Sequence, residues 1–454
     1  MRRWLKRIVI VLAVFGLPTA AFYFYAVWQG ERELRAVLDE LDANESPWRW
    51  DDLLAERTPV AAEDDMQALV LSVRSKMPAG FAAKLSASKT ELRPNLLLIP
   101  EEAELYAGEV EPIEAVVAEA RKAARMPNGR FQVPWREDLL NSNLDYVQRS
   151  REVVHLLQVD GHRQAHHGDL ETAMENCLAM QRMSQALGDE LGLITHLIRI
   201  AFQAVCLGSL ERVLGHGQPS PESLERLQRA WDQFDRERAL MNAFRGERAF
   251  SHWLFTSIAD GKVAIHDARM FGKRGDPWEV FGADLYLRTS LKQSHAWTLR
   301  HWTAAMESFQ LPEPERSARQ RQLEDEARNA PPAAKFLMPA WLKIFEAHQR
   351  TEARTRCAIA ALACERFRRA NERWPKSLDE LTPEFLAKPP LDPCSGAPLQ
   401  LRPTADGIVI YSAGPDGKLR GSFFDDANPD PRNSSYEFRL WNVKDRRLVD
   451  LRQP

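Results

Sequence analysis

The sequence predicts a mainly α protein: an N-terminal transmembrane helix, a helical-hairpin array or bundle, and a small C-terminal α+β module with an antiparallel sheet. Three observations predict it. An uncharged run from Ile8 to Gln29 follows Arg2, Arg3, Lys6 and Arg7. From Glu137 to Asp260 apolar residues recur at helical spacing, segment after segment. Beyond Asn371 short alternating runs replace that rhythm. The division implied is a membrane anchor over residues 1–30, an all-α body over 31–330 and an α+β module over 335–454.

A hydrocarbon core of about 30 Å takes roughly 20 apolar residues in a helix, and Ile8 to Trp28 supplies them. Gly16 and Pro18 interrupt the run, but spanning helices tolerate both. Trp4, Tyr23, Tyr25 and Trp28 lie near its ends, where amphipathic rings prefer the headgroup layer. The basic flank precedes the span, so the positive-inside rule leaves the N-terminus in the cytoplasm and exports the remainder. The expected location is the plasma (inner) membrane, with residues 8–28 as the single pass. A cleaved signal peptide, cut near Thr19-Ala20-Ala21, is the competing reading; the apolar run continues past that site, which argues for retention.

Glu31 to Asp42 is a short amphipathic helix leaving the membrane, and Ser46 to Trp50 an aromatic-rich break. Ala61 to Lys76 and Glu101 to Arg125 are helical, the second ended by Met126-Pro-Asn-Gly129. Met77 to Pro100 is punctuated by Pro78, Gly80 and Pro94. Leu139 to Leu157 fits a long helix. Gly168-Asp169 is a turn with a good N-cap residue, and Leu170, Ala173, Cys177, Met180 and Leu187 then share one face. Leu191 to Leu214 is apolar nearly all round and so belongs at the centre of a pack. Ser220 starts the next helix, with Pro221 in its first turn. Asn242 to Gly261 and Trp278 to Phe309 continue helical. Leu311 to Glu315 and Pro331-Pro332 mark a boundary. A helix then runs from Trp341 to Asn371, and strands follow at 398–402, 408–413, 436–443 and 447–451.

Composition excludes some classes. Among 454 residues the formal net charge is −3, so no strong positive field calls for nucleic acid. The five cysteines, Cys177, Cys206, Cys357, Cys364 and Cys394, contain no CxxC pair, which leaves zinc-ribbon chemistry unsupported. Cys357 and Cys364 are two helical turns apart, about 10 Å, too far to bridge. Either could bridge to Cys394 in an oxidising compartment; buried free thiols are the default.

Two resemblances follow from these patterns. The hairpins of about 35 to 45 residues resemble tetratricopeptide-type arrays in rhythm. Gln164 to Ala173 carries that family's Gly-Asp turn, but no full repeat consensus occurs twice, and a non-repetitive bundle is the alternative. The second resemblance, over residues about 357–421, is to the C-terminal globular module of type II secretion major pseudopilins. It rests on a helix ending at Trp374-Pro375, on Pro389-Pro-Leu-Asp-Pro393 with Gly396 and Pro398, and on Ile410-Tyr-Ser-Ala-Gly-Pro-Asp-Gly417. The resemblance implies a calcium loop after the last motif, and Asp416, Asp425 and Asp426 occupy comparable places; calcium wants six to eight oxygens. Ser422 replaces a family glycine and Phe423-Phe424 intrude, which favours a solvated turn. A pseudopilin places its apolar helix directly before the module. Here that helix lies far upstream, with no prepilin-type processing site, so a fibre subunit is not implied.

Other constellations read as structural. His155, His162, His166 and His167 form the densest histidine cluster, with His162 and His166 at a spacing zinc sites use, but at an expected hairpin turn. Glu247 and Arg248 sit in an apolar helix as a structural ion pair. The aromatics Trp253, Phe255, Trp278, Phe281, Trp297, Trp302 and Phe309 fit a core better than a groove. No GxSxG, P-loop or dinucleotide fingerprint occurs. No catalytic residue and no cofactor beyond that calcium emerges. The expected function is a membrane-anchored extracytoplasmic scaffold that binds an envelope protein. The alternatives are an accessory part of a type II secretion or pilus-like system, and an envelope hydrolase.

Overall fold

The structure is a computed structural model, and it describes residues 17–45, 47–86, 92–131, 135, 139, 145–264, 287, 289–337, 341–414 and 436–449. The helices in the first half are α1 (Leu17–Asn44), α2 (Trp50–Ala55), α3 (Met66–Lys76), α4 (Phe81–Ser86), α5 (Pro100–Val110), α6 (Glu114–Arg121), α7 (Asp145–His167), α8 (Leu170–Ala186) and α9 (Leu193–His216). Those following are α10 (Pro221–Asp232), α11 (Arg236–Ala259), α12 (Leu291–Ser308), α13 (Glu315–Arg328), α14 (Pro332–Leu337) and α15 (Trp341–Asn371). Strands β1 (Gln400–Thr404), β2 (Gly407–Tyr411) and β3 (Glu437–Trp441) close the chain. The protein is thus mainly helical with a small C-terminal antiparallel sheet, as the sequence predicts. Two compact units arise: one from Met1–Thr58, Phe244–Leu311 and Ala318–Leu342, the other from Pro59–Ala243, Pro312–Ser317 and Lys343–Pro454.

In the first unit the described part of the expected anchor, from Leu17, and the expected helix after it form one continuous helix, α1. Gly30 does not break it. Its missing side chain instead admits α12, because a Cβ there would lie 3.0 Å from the Gln293 nitrogen. Further along, Val37 and Leu41 pack with Trp48, Ala296 and Leu299. Burying a Val or Leu side chain is worth about 2 kcal/mol, so this seam holds α1 and α12 together. The aromatic break folds back onto α1: Trp48 Nε1 donates to Asp42 at 2.8 Å, and Arg49 makes a bidentate pair with the same carboxylate at 2.6 and 2.8 Å.

The second unit contains the hairpins. Gly168 at φ 91° turns the chain between α7 and α8, and the Asp169 side chain caps α8 by accepting from Thr172 N at 3.1 Å. Ser220 caps α10 in the same way at 3.2 Å, with Pro221 at the first helical position. Helix α9 is the central one, with Ile198, Phe202, Cys206, Leu207, Leu210, Val213 and Leu214 all buried. The expected single helix from Glu101 to Arg125 is instead α5, a 3-10 turn at Glu111–Ile113 and α6. Pro112 sits in that turn; it lacks the N–H that an uninterrupted helix would use.

The sheet has the order β1-β2-β3, antiparallel throughout, with Thr404 opposite Gly407 and Tyr411 opposite Glu437. β2 is central and buried over Gly407 to Ile410. The fourth expected strand, 447–451, does not join the sheet over its described residues. Arg447 takes φ 57° and its N–H donates to Gly215 O, which turns the chain away. Leu448 instead pairs with the loop before α5, its N–H reaching Asn95 O at 2.9 Å while Leu97 N reaches Leu448 O at 2.8 Å.

Candidate functional site

Apolar patterning marks α9 and α15 as buried, yet each carries a polar stripe. On α9 it is His196, Arg199 and Gln203, at spacings of three and four. On α15 it is His348, Glu352 and Thr355, at spacings of four and three. Each spacing keeps three residues on one helical face. The stripes meet. His196 Nε2 lies 3.3 Å from His348 Nδ1, and Gln203 Nε2 donates to Thr355 Oγ1 at 3.4 Å, with the same sequence offset of 152 in both contacts. A constant offset means that the two helices run in the same direction. α8 closes the seam from the side, where Ser184 Oγ donates to Arg199 O at 3.0 Å.

The electrostatics of this seam follow from burial. Desolvation, with Arg199 nearby, pushes His348 down to about 3 and His196 well below the ordinary imidazole range, so both rings are neutral, each keeping one N–H, and one of those N–H groups bridges the pair. Burial works against the charge on Glu352, but the guanidinium groups of Arg236 and Arg356 outweigh it and hold its carboxyl well below the usual carboxylate range. Their Nε atoms donate to it at 2.6 and 2.7 Å. Burial lowers Arg199 to about 10, which leaves it charged at neutral pH. Its guanidinium lies 5.6 Å from the centre of the Phe234 ring, and its Nε has no hydrogen-bond partner among the described residues.

A general base works best with a pKa near the operating pH. Imidazoles held this low are poor bases, and a carboxylate gripped by two arginines is a poor nucleophile. The seam is therefore suited to fixing the register of two helices. A polar stripe of i, i+3, i+7 within an apolar helix was the available sequence signal, and the apolar reading of Leu191 to Leu214 passes over it.

A second polar node lies in the C-terminal module. Asp392, 2% exposed, accepts from Cys394 N at 2.9 Å, Ser395 Oγ at 3.1 Å, Ser412 Oγ at 2.7 Å and Ala413 N at 3.0 Å. One buried carboxylate thus joins the Asp-Pro turn to the end of β2. Between α15 and the segment after β3, Glu365 and Arg446, both buried, pair through Nη2 at 2.8 Å and Nη1 at 3.1 Å. The aspartates assigned to calcium, Asp416, Asp425 and Asp426, lie outside the described residues.

The remaining sequence candidates separate. The four histidines fall on α7 with separate partners: His155 Nδ1 meets Gln158, His162 Nε2 meets Ser209, and His166 Nδ1 accepts from Leu98 N, while the adjacent His166 and His167 rings meet edge to face at 5.3 Å. Among the described residues no group of three or more His, Cys, Asp or Glu side chains is placed to hold a metal. Arg248 is buried and donates to Glu45 and Thr303. Phe255 and Trp302 are fully buried, Trp302 against Phe244, so neither lines a groove; Trp278 and Phe281 lie outside the described residues. All five cysteines are free and buried.

Comparison of the chain with protein-family models, with curated proteins and with solved structures finds no match in any of the three.

Proposed function

We propose that this is a single-pass envelope protein whose exported helical body binds another protein. One observation carries the reading. The N-terminal part of α1 presents Phe24, Tyr25 and Trp28 outward at 69%, 59% and 58% exposure, and the same helix then runs into the core of the first unit. Large apolar side chains lined up on a helix without a protein partner call for another apolar phase, and in the sequence the uncharged run that contains them begins at Ile8. The described helix with the strongest spanning composition, Leu193–His216, does not compete, since it is internal and mostly buried.

The polar groups at the heart of the second unit support binding over chemistry, because Glu352, Glu365 and Asp392 are each occupied by structural partners. Helical hairpins offer extended surfaces for such binding. A role beside a secretion or pilus-like machine is the second reading. What favours it is Asp392, which links the two halves of the pseudopilin-like motif.

Topology is tested by reporter fusions to the C-terminus in a bacterial host. Active alkaline phosphatase with a dark green fluorescent protein is expected; the reverse pattern refutes export. Crosslinking in intact cells then separates the two readings: secretion components among the partners favour the second, and other envelope proteins the first.

A further inference from the structure

We infer that the first unit is seated directly on the membrane surface, with the start of α12 at the level of the lipid headgroups, rather than held away from it on a linker. The inference rests on the reading of residues 8–28 as the span. Its ground is the helix that follows.

α1 continues from Leu17 to Asn44 without interruption, so no flexible joint separates the aromatic belt from the folded unit. Trp28 is exposed, whereas Gly30 is already buried against the Lys292 and Gln293 backbone. Ala26 and Val27, one turn before Gly30 on its side of the helix, are already half-buried, so packing of the unit begins within about 6 Å of the level of Trp28, on the face turned away from that ring. A tryptophan at the end of a span sits in the headgroup layer, and whatever packs against Gly30 lies one step above it.

The charges around this collar suit that layer. The Arg32 guanidinium lies 6.0 Å from the centre of the Trp28 ring, and Lys292, its side chain 42% exposed, pairs with Glu31. Long basic side chains beside an aromatic belt reach lipid phosphates while their stems stay on apolar surface. The surface that receives them is the phospholipid headgroup layer. The packing at Val37 and Leu41 against Ala296 and Leu299 stops the unit from swinging away, because α1 and α12 touch along their length.

The test uses the full chain reconstituted in phospholipid nanodiscs. The five native cysteines are buried, so single nitroxide labels can be placed at Tyr25→Cys, Lys292→Cys and Glu307→Cys. Glu307 is exposed on the same helix, fifteen residues or about 22 Å beyond Lys292. Collision rates with oxygen, which partitions into lipid, and with a water-soluble nickel chelate report depth. The label at 25 is expected to be oxygen-rich and the label at 307 nickel-accessible. The label at 292 is expected to meet nickel several-fold less often than the one at 307. A Gly-Ser insertion between Gln29 and Gly30 should abolish that difference. If 25 lies in lipid while 292 matches 307, the seating is wrong and the anchor stands. If 25 itself reads as aqueous, the anchor reading fails and takes the seating with it. Label at Arg35→Cys, about 10 Å above Trp28, supplies the intermediate depth should the Lys292 variant not fold.

Discussion

Ser412 Oγ donates to Asp392 Oδ1 at 2.7 Å, from the end of the central strand to a turn twenty residues earlier. With Ala413 N and Cys394 N on the same buried carboxylate, this contact makes the turn and the sheet one piece. Replacing Asp392 by Ala leaves those donors without an acceptor. The expected cost is about 3 kcal/mol, and Ser412→Ala should cost about 1 kcal/mol. Urea unfolding of the protein measures both; equal effects of the two variants would mean that Asp392 is not the hub.

Glu365 and Arg446 form a second buried link, between α15 and the segment after β3. Burial works against the Glu365 charge, but Arg368 and Arg446 overcome it and hold the carboxyl below its usual range. Glu365→Gln should cost about 3 to 5 kcal/mol, since it strands a buried guanidinium. The double variant Glu365→Leu with Arg446→Met should recover much of that loss. A double variant no better than the single would show that charge pairing is not what the site needs.

Acid should weaken the fold earlier than carboxylates alone would make it. His348 and His295 are buried and each is pushed down to about 3, by desolvation first. An unfolded histidine titrates near 6.5. Their contribution is therefore complete above about pH 6.5 and is lost as pH falls toward the folded value. Each costs about 1.4 kcal/mol per pH unit in that window. Glu352 acts in the same direction, but only below the ordinary carboxylate pKa. Tm should decline between pH 6.5 and 4.5, and His348→Gln should shallow the slope. A Tm that is flat over that range would contradict neutral, buried His348 and His295 side chains.

Thiol chemistry gives a fourth check. Burial raises Cys177 and Cys394 to about 12, and Cys364 well above the thiol range. None of the five should react with a colourimetric disulfide reagent in the native protein, and all five should react in denaturant. Only three reacting in denaturant would reveal a bridge to Cys394.

Much of the fold is legible along the chain because its signals are local. The caps at Asp169 and Ser220, the turn at Gly168 and the limits of α15 each depend on a few neighbouring residues. The sequence alone determined the class, the order of helices and strands, and the uncharged N-terminal run. Tertiary structure alone decided where long-range partners meet. The pairing of His196 with His348 spans 152 residues, and hydrophobic spacing reports only that a face is buried, never what it faces. The same reason hid the partner of Arg248 and the departure of Leu448 from the sheet. It also hid the packing of α1 on α12 at Gly30, where a missing side chain lets two backbones touch. Periodicity is a property of one segment; contact is a property of two, and only folding brings the second one in.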